Sequence, residues 1–132
     1  MELLRGALAT AYPKRVVSRD LADFADRKKQ DLAAGIYTIV NLASDQYPNY
    51  RGREGNFGRV QIVLLAQIEL AESSTPSQIE DAELAMLEEL QAFTRTVLPQ
   101  GIDSLVLTAH RSSGQLEHPY GWIACQMEFM GA

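Results

Sequence analysis

The chain contains few of the residues from which covalent, metal or cofactor sites are made. Cys125 is the single cysteine among 132 residues, so no disulfide can form within the chain. A lone cysteine is typical of proteins from a reducing compartment. There are two histidines, His110 and His118, and neither belongs to a His-Glu motif of a zinc site. The sequence therefore predicts no metal ligand and no cofactor.

Sequence motifs of catalytic loops are also missing. Ser112 and Ser113 precede Gly114, but the chain has no Gly-x-Ser-x-Gly nucleophile motif. The glycines between residues 52 and 58 do not open a helix after a strand, and no Gly-Lys-Ser or Gly-Lys-Thr phosphate loop is present. Cys125 lies in an apolar stretch, where a buried structural thiol is expected rather than a reactive one. We therefore expect no catalytic residue and no enzyme activity.

A basic surface and a long apolar run are missing as well. The formal net charge is −5, which argues against a dedicated nucleic-acid-binding protein. The segment Met1–Ala11 is short and contains Glu2 and Arg5, so it matches neither a signal peptide nor a membrane span. We expect a cytosolic product with one domain, residues 1–132, because this length is ordinary for a single core.

Alternation of apolar and polar residues predicts an α+β fold with a mainly antiparallel sheet of about four strands. In the most regular stretch, every second residue from Val60 to Leu70 is apolar, and the opposite face is half polar. This pattern favours an antiparallel sheet that is covered on one side. The predicted strands are Ile36–Leu42, Gly58–Leu70, Ile102–His110 and Tyr120–Met130. The last two are expected to form a hairpin, and Arg15–Ser18 is a candidate short edge strand.

The last predicted strand carries large apolar groups on both faces. Ile123 and Phe129 share one face, and Tyr120 and Trp122 share the other. The strand contains no lysine and no internal proline, so its edge would be poorly protected against pairing with another chain. We expect the second face to need a partner. On the preceding strand, the residues expected to share one face are Leu105, Leu107 and Ala109.

One long helix is predicted to cover the buried face of the sheet, with shorter helices before it. Thr75 is a favourable N-cap, Pro76 a favoured first residue, and Gln78 closes a capping box. The helix is predicted to run to about Leu98, before Pro99. Its apolar stripe consists of Ile79, Ala82, Met86, Leu90, Phe93 and Val97.

Two shorter helices are predicted in the first quarter of the chain. One covers Glu2–Ala11, and the other lies within Asp20–Ala34 and stops at Gly35. Helical spacing within the second segment is shown by Leu21, Phe24, Ala25 and Lys28.

Charged clusters are expected on solvated faces. Five acids lie on the long helix: Glu80, Asp81, Glu83, Glu88 and Glu89. They share no face with a histidine, so a solvated surface is favoured over a metal site. The run Arg27, Lys28 and Lys29 is interpreted in the same way, with a phosphate-binding patch as the alternative. His110 and His118 flank the hairpin turn and are expected at the surface or in hydrogen bonds.

The segment Ala43–Asn56 is predicted to be a long loop with the composition of a binding surface. It contains Tyr47, Tyr50, Arg51 and Arg53, and both residue types are enriched at interfaces. A plain hairpin tip is the alternative. We expect this loop to be mobile in the isolated subunit and ordered on assembly. The candidate interface residues are Tyr47, Tyr50, Arg51, Arg53, Tyr120 and Trp122.

Three segments carry a family resemblance. They are residues 35–41 (GIYTIVN), 79–86 (IEDAELAM) and 113–122 (SGQLEHPYGW), set in a helix-strand-strand-helix-strand-strand order. With this order, the chain resembles tail terminator (tail completion) proteins of long-tailed bacteriophages, of the Mu-like siphophage type. The resemblance covers most of the chain, from about Arg15 to Phe129. Its motifs are structural, and the family has no individually defined active-site residue to transfer.

The resemblance implies a structural virion protein. Such a subunit forms a hexameric ring that caps the tail tube, ends its polymerisation and presents a surface to the head connector. The implied partners are copies of the same chain, the major tail tube protein and the head-tail connector protein, with no membrane. The implied location is the head-proximal end of the tail, after synthesis in the host cytoplasm. DNA would pass through the lumen without specific binding, and an acidic subunit suits this because negative walls repel phosphate.

Two other functions remain open from the sequence. One is a head-side neck or connector protein of the same virion. The other belongs to a different class and is a small metabolite-binding domain or enzyme. In that case the Tyr47–Arg53 loop and the turn between His110 and His118 would form the pocket.

Overall fold

The computed structural model describes residues 2–41, 59–96 and 102–131. Helices and strands alternate irregularly along these ranges, as expected for an α+β protein. The elements are α1 (Glu2–Ala11), β1 (Val16–Ser18), a 3₁₀ turn (Phe24–Asp26), α2 (Lys29–Ala34), β2 (Ile36–Asn41), β3 (Arg59–Glu69), α3 (Pro76–Phe93), β4 (Ile102–Ser112) and β5 (Tyr120–Gly131). None of the helices in the described ranges combines the length and the apolarity that a membrane crossing requires.

The strands form one mixed sheet in the order β1-β2-β3-β5-β4. β1 is parallel to β2, and every other pair is antiparallel. The parallel pair arises because the 3₁₀ turn and α2 lie between β1 and β2 and return the chain to the same end of the sheet. The predicted α+β class with a mainly antiparallel sheet is confirmed, and β1 makes the sheet five-stranded rather than four-stranded.

β5 lies inside the sheet, between β3 and β4. It pairs with β3 from Tyr120 opposite Glu69 to Met130 opposite Arg59, and it forms the predicted hairpin with β4. The expectation that β5 would be an edge strand is therefore wrong. Among the described strands, the edges are the three-residue β1 and the eleven-residue β4. β3 pairs with β5 from Tyr120 to Met130 and so separates it from β2, and β4 is left outside.

A bulge in β4 changes which side chains face the helix. Leu107 pairs with Met127, whereas Ala109 pairs with Gln126, so one residue is skipped. Residues that pair directly share a face, and Met127 and Gln126 point to opposite faces. Ala109 therefore lies on the face away from α3, and the prediction that it shares a face with Leu107 is wrong.

The core lies between α3, α1 and one face of the sheet. The predicted alternation of β3 is confirmed, because its even-numbered residues from 62 to 68 are buried against α3. The buried core residues of the helices are Leu4, Leu8, Met86, Leu87, Leu90 and Phe93, and those of the sheet are Tyr37, Ile39, Ile62, Leu64, Ala66, Ile68, Leu105, Ile123, Cys125 and Met127. Burial of this apolar face of α3 is the main reason why the helix is stable on the sheet.

α3 begins as predicted and ends earlier. The Thr75 hydroxyl accepts from the Gln78 backbone, and the Gln78 side chain accepts from the Thr75 backbone, which is the predicted capping box. The helix ends at Phe93 rather than near Leu98. The hydroxyls of Thr94 and Thr96 donate to backbone carbonyls three residues earlier, at 2.7 and 2.8 Å. Such local bonds compete with the next helical turn.

The segment after β1 differs most from its prediction. A helix through Leu21–Lys28 is wrong, because Asp23 and Arg27 have extended backbones and only the short 3₁₀ turn separates them. The Phe24 ring packs on Tyr120 and the Arg27 side chain reaches Thr38, so tertiary contacts override the local helical spacing. The prediction that the helix stops at Gly35 is confirmed, because α2 ends at Ala34 and Gly35 follows it as the C-cap, with φ of +91°.

Candidate assembly surfaces

Four of the six candidate interface residues lie outside the described residues. These are Tyr47, Tyr50, Arg51 and Arg53, together with the rest of the Ala43–Asn56 loop. The other two, Tyr120 and Trp122, lie at the beginning of β5, on the sheet face opposite α3.

Tyr120 and Trp122 have partners within the subunit. The Tyr120 ring lies 4.8 Å from the ring of Phe24, centre to centre. The Trp122 indole N–H donates to the carboxylate of Glu117, and its backbone N–H donates to Glu83 Oε2 at 2.9 Å. Both side chains are half-buried. The expectation that this face lacks a partner is therefore wrong for Tyr120, because the segment after β1 folds back over this end of the sheet.

The covered part of this face is held by polar contacts as well. Gln67 Nε2 donates to the Ala22 carbonyl at 3.1 Å, and Arg27 Nη2 donates to Thr38 Oγ1 at 2.9 Å and to the Asp20 carbonyl at 2.7 Å. Arg27 is thus half-buried and bonded to the sheet, which corrects the expectation that the whole basic run is solvated. Only Lys28 and Lys29 are exposed there.

The rest of this face is uncovered by the described residues, and we call it the open sheet face. It consists of Val63, Ala109, Arg111, Ala124 and Gln126, which with His110 line a shallow cavity of about 370 Å³. Val106, on the same face of β4, is 53% exposed. Arg111 is exposed, and its side chain has no ion pair or hydrogen bond to any described residue. The open sheet face is therefore an apolar surface with an unpaired cation at its border.

The outer edge of β4 borders the open sheet face. Within the described part of the chain, β5 is the one strand that pairs with β4. The strand has eleven residues and contains neither lysine nor proline. Unpaired backbone N–H and C=O groups on such an edge form a template for another strand.

The solvent side of α3 carries a second exposed apolar group. Asp81, Leu84 and Glu88 follow one another at spacings of three and four residues, which aligns them along one stripe. All three are exposed, and Leu84 is 46% exposed. We call this stripe the acidic ridge. The prediction of a solvated acidic helix surface holds for these acids.

The prediction of a solvated acid is wrong for Glu89. Glu89 Oε1 accepts from Arg15 Nε at 3.0 Å and from the Tyr37 hydroxyl at 2.6 Å, while Oε2 accepts from Arg15 Nη2 at 2.6 Å. Burial by itself raises the pKa of Glu89, but the hydrogen bonds from Arg15 and Tyr37 outweigh it, so the pKa is lowered. Burial and the same carboxylate raise the pKa of Tyr37. Glu89 therefore belongs to a partly buried ion pair and is not a solvated charge.

A cavity lies beside this ion pair. Its volume is about 480 Å³, and it is lined by Ala11, Tyr12, Pro13, Lys14, Arg15, Ala34 and Glu89. The polar groups of Arg15 and Glu89 are already engaged with one another, and Arg15 Nη1 donates to the Ala34 carbonyl at 2.9 Å. Lys14 is the exposed cation of the lining.

Glu83 is also internal, which corrects a second part of the solvated-acid prediction. It is 2% exposed, and it accepts from the Ser113 hydroxyl and the Trp122 backbone N–H. A Cβ on Gly121 would lie 2.8 Å from Ile79 Cγ2 and 3.1 Å from Glu83 Oε2. The missing side chain at position 121 therefore lets α3 approach β5 closely enough for this bond. No sequence motif marks Glu83, because its donors lie 30 and 39 residues away.

The two histidines take different positions. His118 Nε2 lies 3.0 Å from Ser74 Oγ and 2.6 Å from the Ser74 carbonyl oxygen, whereas His110 is exposed on β4 opposite Cys125. Within the described ranges, no group of three or more His, Cys, Asp or Glu side chains is arranged to hold a metal ion.

Comparison of the sequence with protein-family models gives no match, and none of the curated proteins is significantly similar to it.

Proposed function

We propose that this chain is a tail-terminator-like virion subunit that assembles into a closed ring, with six copies as the expected number. One observation carries the proposal: β4 is an eleven-residue edge strand next to an open apolar sheet face. Long edges and exposed apolar surfaces of this kind are typical of subunits whose neighbours cover them.

A ring follows when the contact is heterologous and closes on itself. The two exposed surfaces lie on opposite sides of the sheet, the acidic ridge on the α3 side and the open sheet face on the other. One subunit therefore offers two different surfaces to two different neighbours. The family resemblance adds the tail tube and the head connector as further partners, and the net charge of −5 suits a lumen that DNA passes.

Tube capping is the direct test. The purified chain is mixed with a polymerising tail tube protein of a long-tailed phage, and tube ends are examined by electron microscopy. Rings on one end of each tube, together with shorter tubes, are expected. A chain that leaves tube length unchanged and never appears at tube ends contradicts the proposal.

The Tyr47–Arg53 loop remains the predicted contact to the neighbouring subunit or to the tube. Arg51→Glu/Arg53→Glu is expected to weaken capping and to leave the subunit folded. Lys14→Glu/Lys28→Glu makes the same change of charge at exposed sites away from the loop and serves as the control. Equal capping by both variants would show that the loop is not part of the contact.

A head-side neck protein is the related alternative. It predicts rings that bind the head connector and ignore tube ends. Addition of the purified connector protein to the same mixture separates the two functions, since a terminator binds both partners and a neck protein binds the connector alone.

A small-ligand-binding domain is the second candidate, favoured by the cavity of about 480 Å³ beside Arg15 and Glu89. This volume is in the range of natural ligand sites, and Lys14 would favour an anion. Thermal unfolding in the presence of small carboxylates and phosphates tests it. Stabilisation that Lys14→Glu removes would support this candidate, and its absence with every compound would oppose it.

A further inference from the structure

We infer that the open sheet face binds the acidic ridge of a second copy of this chain. The inference rests on the proposed ring in one respect, namely that copies of the chain meet head to tail. The inference identifies the two surfaces that form the contact and the charged residues that make the contact specific.

The apolar parts of the two surfaces are a projecting leucine and a shallow cavity. Leu84 projects from a helix, where it is flanked by the exposed Ala85, and the open sheet face offers a shallow cavity of about 370 Å³ between Val63 and Ala124. A helix laid on a sheet buries this kind of stripe, as α3 itself does on the opposite face. Leu84 in the cavity would form the dry centre of the contact.

The charged parts are complementary. Asp81 and Glu88 flank Leu84, and neither side chain has an ion pair among the described residues. Arg111 borders the cavity and is likewise unpaired there. Salt bridges between Arg111 and these acids at the edge of the contact speed association and fix the direction of the helix on the sheet.

The position of Arg111 restricts the orientation. Arg111 pairs with Ala124 of β5 and borders the cavity of the open sheet face. It attracts an acid of the ridge to that border. We therefore expect Asp81 or Glu88 to lie next to Arg111.

The contact must be heterologous, because it joins two different surfaces on opposite sides of the sheet. An open row of copies leaves one surface of each kind unoccupied, at its two ends, until the row closes into a ring. A two-fold contact between two β4 edges is the competing arrangement, and it would use the same surface on both copies.

Charge reversal is the first test. In native mass spectrometry and sedimentation, Arg111→Glu is expected to weaken self-association by about tenfold or more, and Asp81→Lys/Glu88→Lys is expected to do the same. A mixture of the two variants should associate again in alternating order, because every sheet face then meets a ridge of opposite charge. Lys28→Glu and Glu72→Lys, at exposed sites outside both surfaces, should leave association unchanged.

Cross-linking with a short bis-thiol reagent is the second test. Leu84→Cys and Ala109→Cys place thiols on the ridge and on the open sheet face, while Cys125 is buried. The mixture of the two single variants should give cross-linked dimers, the double variant should give ladders, and each single variant alone should give monomers. Self-cross-linking of Ala109→Cys alone would overturn the inference in favour of a two-fold contact between sheets.

The failures of this inference and of the proposed function can be distinguished. If the chain caps tubes but Arg111→Glu caps equally well and no ridge-to-sheet cross-link forms, the inference is wrong and the proposed function stands. If the reversed charges control self-association but no variant or wild type caps tubes, the contact stands and the proposed function fails. A wild-type chain that stays monomeric at its highest soluble concentration and on tubes overturns both.

Discussion

The guanidinium of Arg15 and the carboxylate of Glu89 meet edge to edge, with Nε 3.0 Å from Oε1 and Nη2 2.6 Å from Oε2. The two residues are 74 positions apart in the chain. Their contact fastens the segment between α1 and β1 to the C-terminal part of α3, and the Tyr37 hydroxyl adds a bond from β2. Planar two-point pairs of this type have defined geometry and are stronger than single contacts.

Loss of this pair should destabilise the fold. Arg15→Met leaves the Glu89 carboxylate without its main donor in a partly buried site, and we expect a loss of about 2–3 kcal/mol in the free energy of unfolding. Arg19→Met is the matched control, because Arg19 makes only an exposed 3.6 Å contact with Glu2 and should cost about 0–1 kcal/mol. Urea unfolding followed by circular dichroism measures both. Equal losses of unfolding free energy in the two variants would mean that the Arg15–Glu89 pair stabilises the fold no more than an exposed ion pair does.

The same pair should make stability depend on pH in acid. The folded pKa of Glu89 lies below its ordinary value of 4.5, so its contribution is fully present above pH 4.5 and is lost as the pH falls through the folded pKa. Glu89→Gln removes this titration. We expect the difference in unfolding free energy between wild type and Glu89→Gln to be constant from neutral pH down to about pH 5, and to shrink below it. A difference that grows in acid would contradict the assignment.

Removal of the buried carboxylate of Glu83 should also be costly. Glu83→Ala leaves the Ser113 hydroxyl and the Trp122 N–H without their acceptor, and we expect a loss of about 2–4 kcal/mol. Glu80→Ala removes an exposed acid from the same helix and should change stability by less than about 0.5 kcal/mol. Thermal unfolding of the two variants provides the comparison, and similar melting temperatures would show that Glu83 is not a structural acceptor.

Two Gly→Ala substitutions should have opposite signs. At Gly121 the new Cβ would lie 2.8 Å from Ile79 Cγ2, so α3 must move and we expect a loss of about 1–3 kcal/mol. At Gly6, in α1, a Cβ meets nothing within 4 Å. Gly6→Ala should therefore stabilise the protein by about 0.5–1 kcal/mol. The measurement is denaturant unfolding, and a stabilising Gly121→Ala would disprove the close approach of α3 to β5.

Cys125 should be unreactive in the folded protein. It is fully buried in the core on the α3 side of the sheet, opposite Leu64 of β3, and burial raises the pKa of its thiol to about 11. We expect a disulfide reagent to label it only at the rate of unfolding, and to label it at once in denaturant. Rapid labelling of the native protein would show that the sheet opens locally at β5.

The pattern of the sequence was enough to predict those helices and strands that are defined by residues close to one another in the chain. Thr75, Pro76 and Gln78 define the start of α3 by bonds that span three residues, and a period of two over Val60–Leu70 defines β3. The hairpin of β4 and β5 was predictable because one turn joins two alternating segments. The buried stripe of α3 from Ile79 to Phe93 and the core face of β3 followed from the same periods. Val97, the last predicted residue of that stripe, lies outside the described residues.

The tertiary structure alone decided the order of the strands and the environments of the acids. Whether β4 or β5 lies at the edge depends on pairing with β3, which is distant in sequence, and no local signal encodes it. Glu83, Glu88 and Glu89 have the same residue type on one helix, yet two are held by internal donors and one is solvated. Their surroundings are set by Arg15, Tyr37 and residues of the final hairpin, because the charge of a carboxylate is stabilised by whatever donors the folded chain brings within about 3 Å of it.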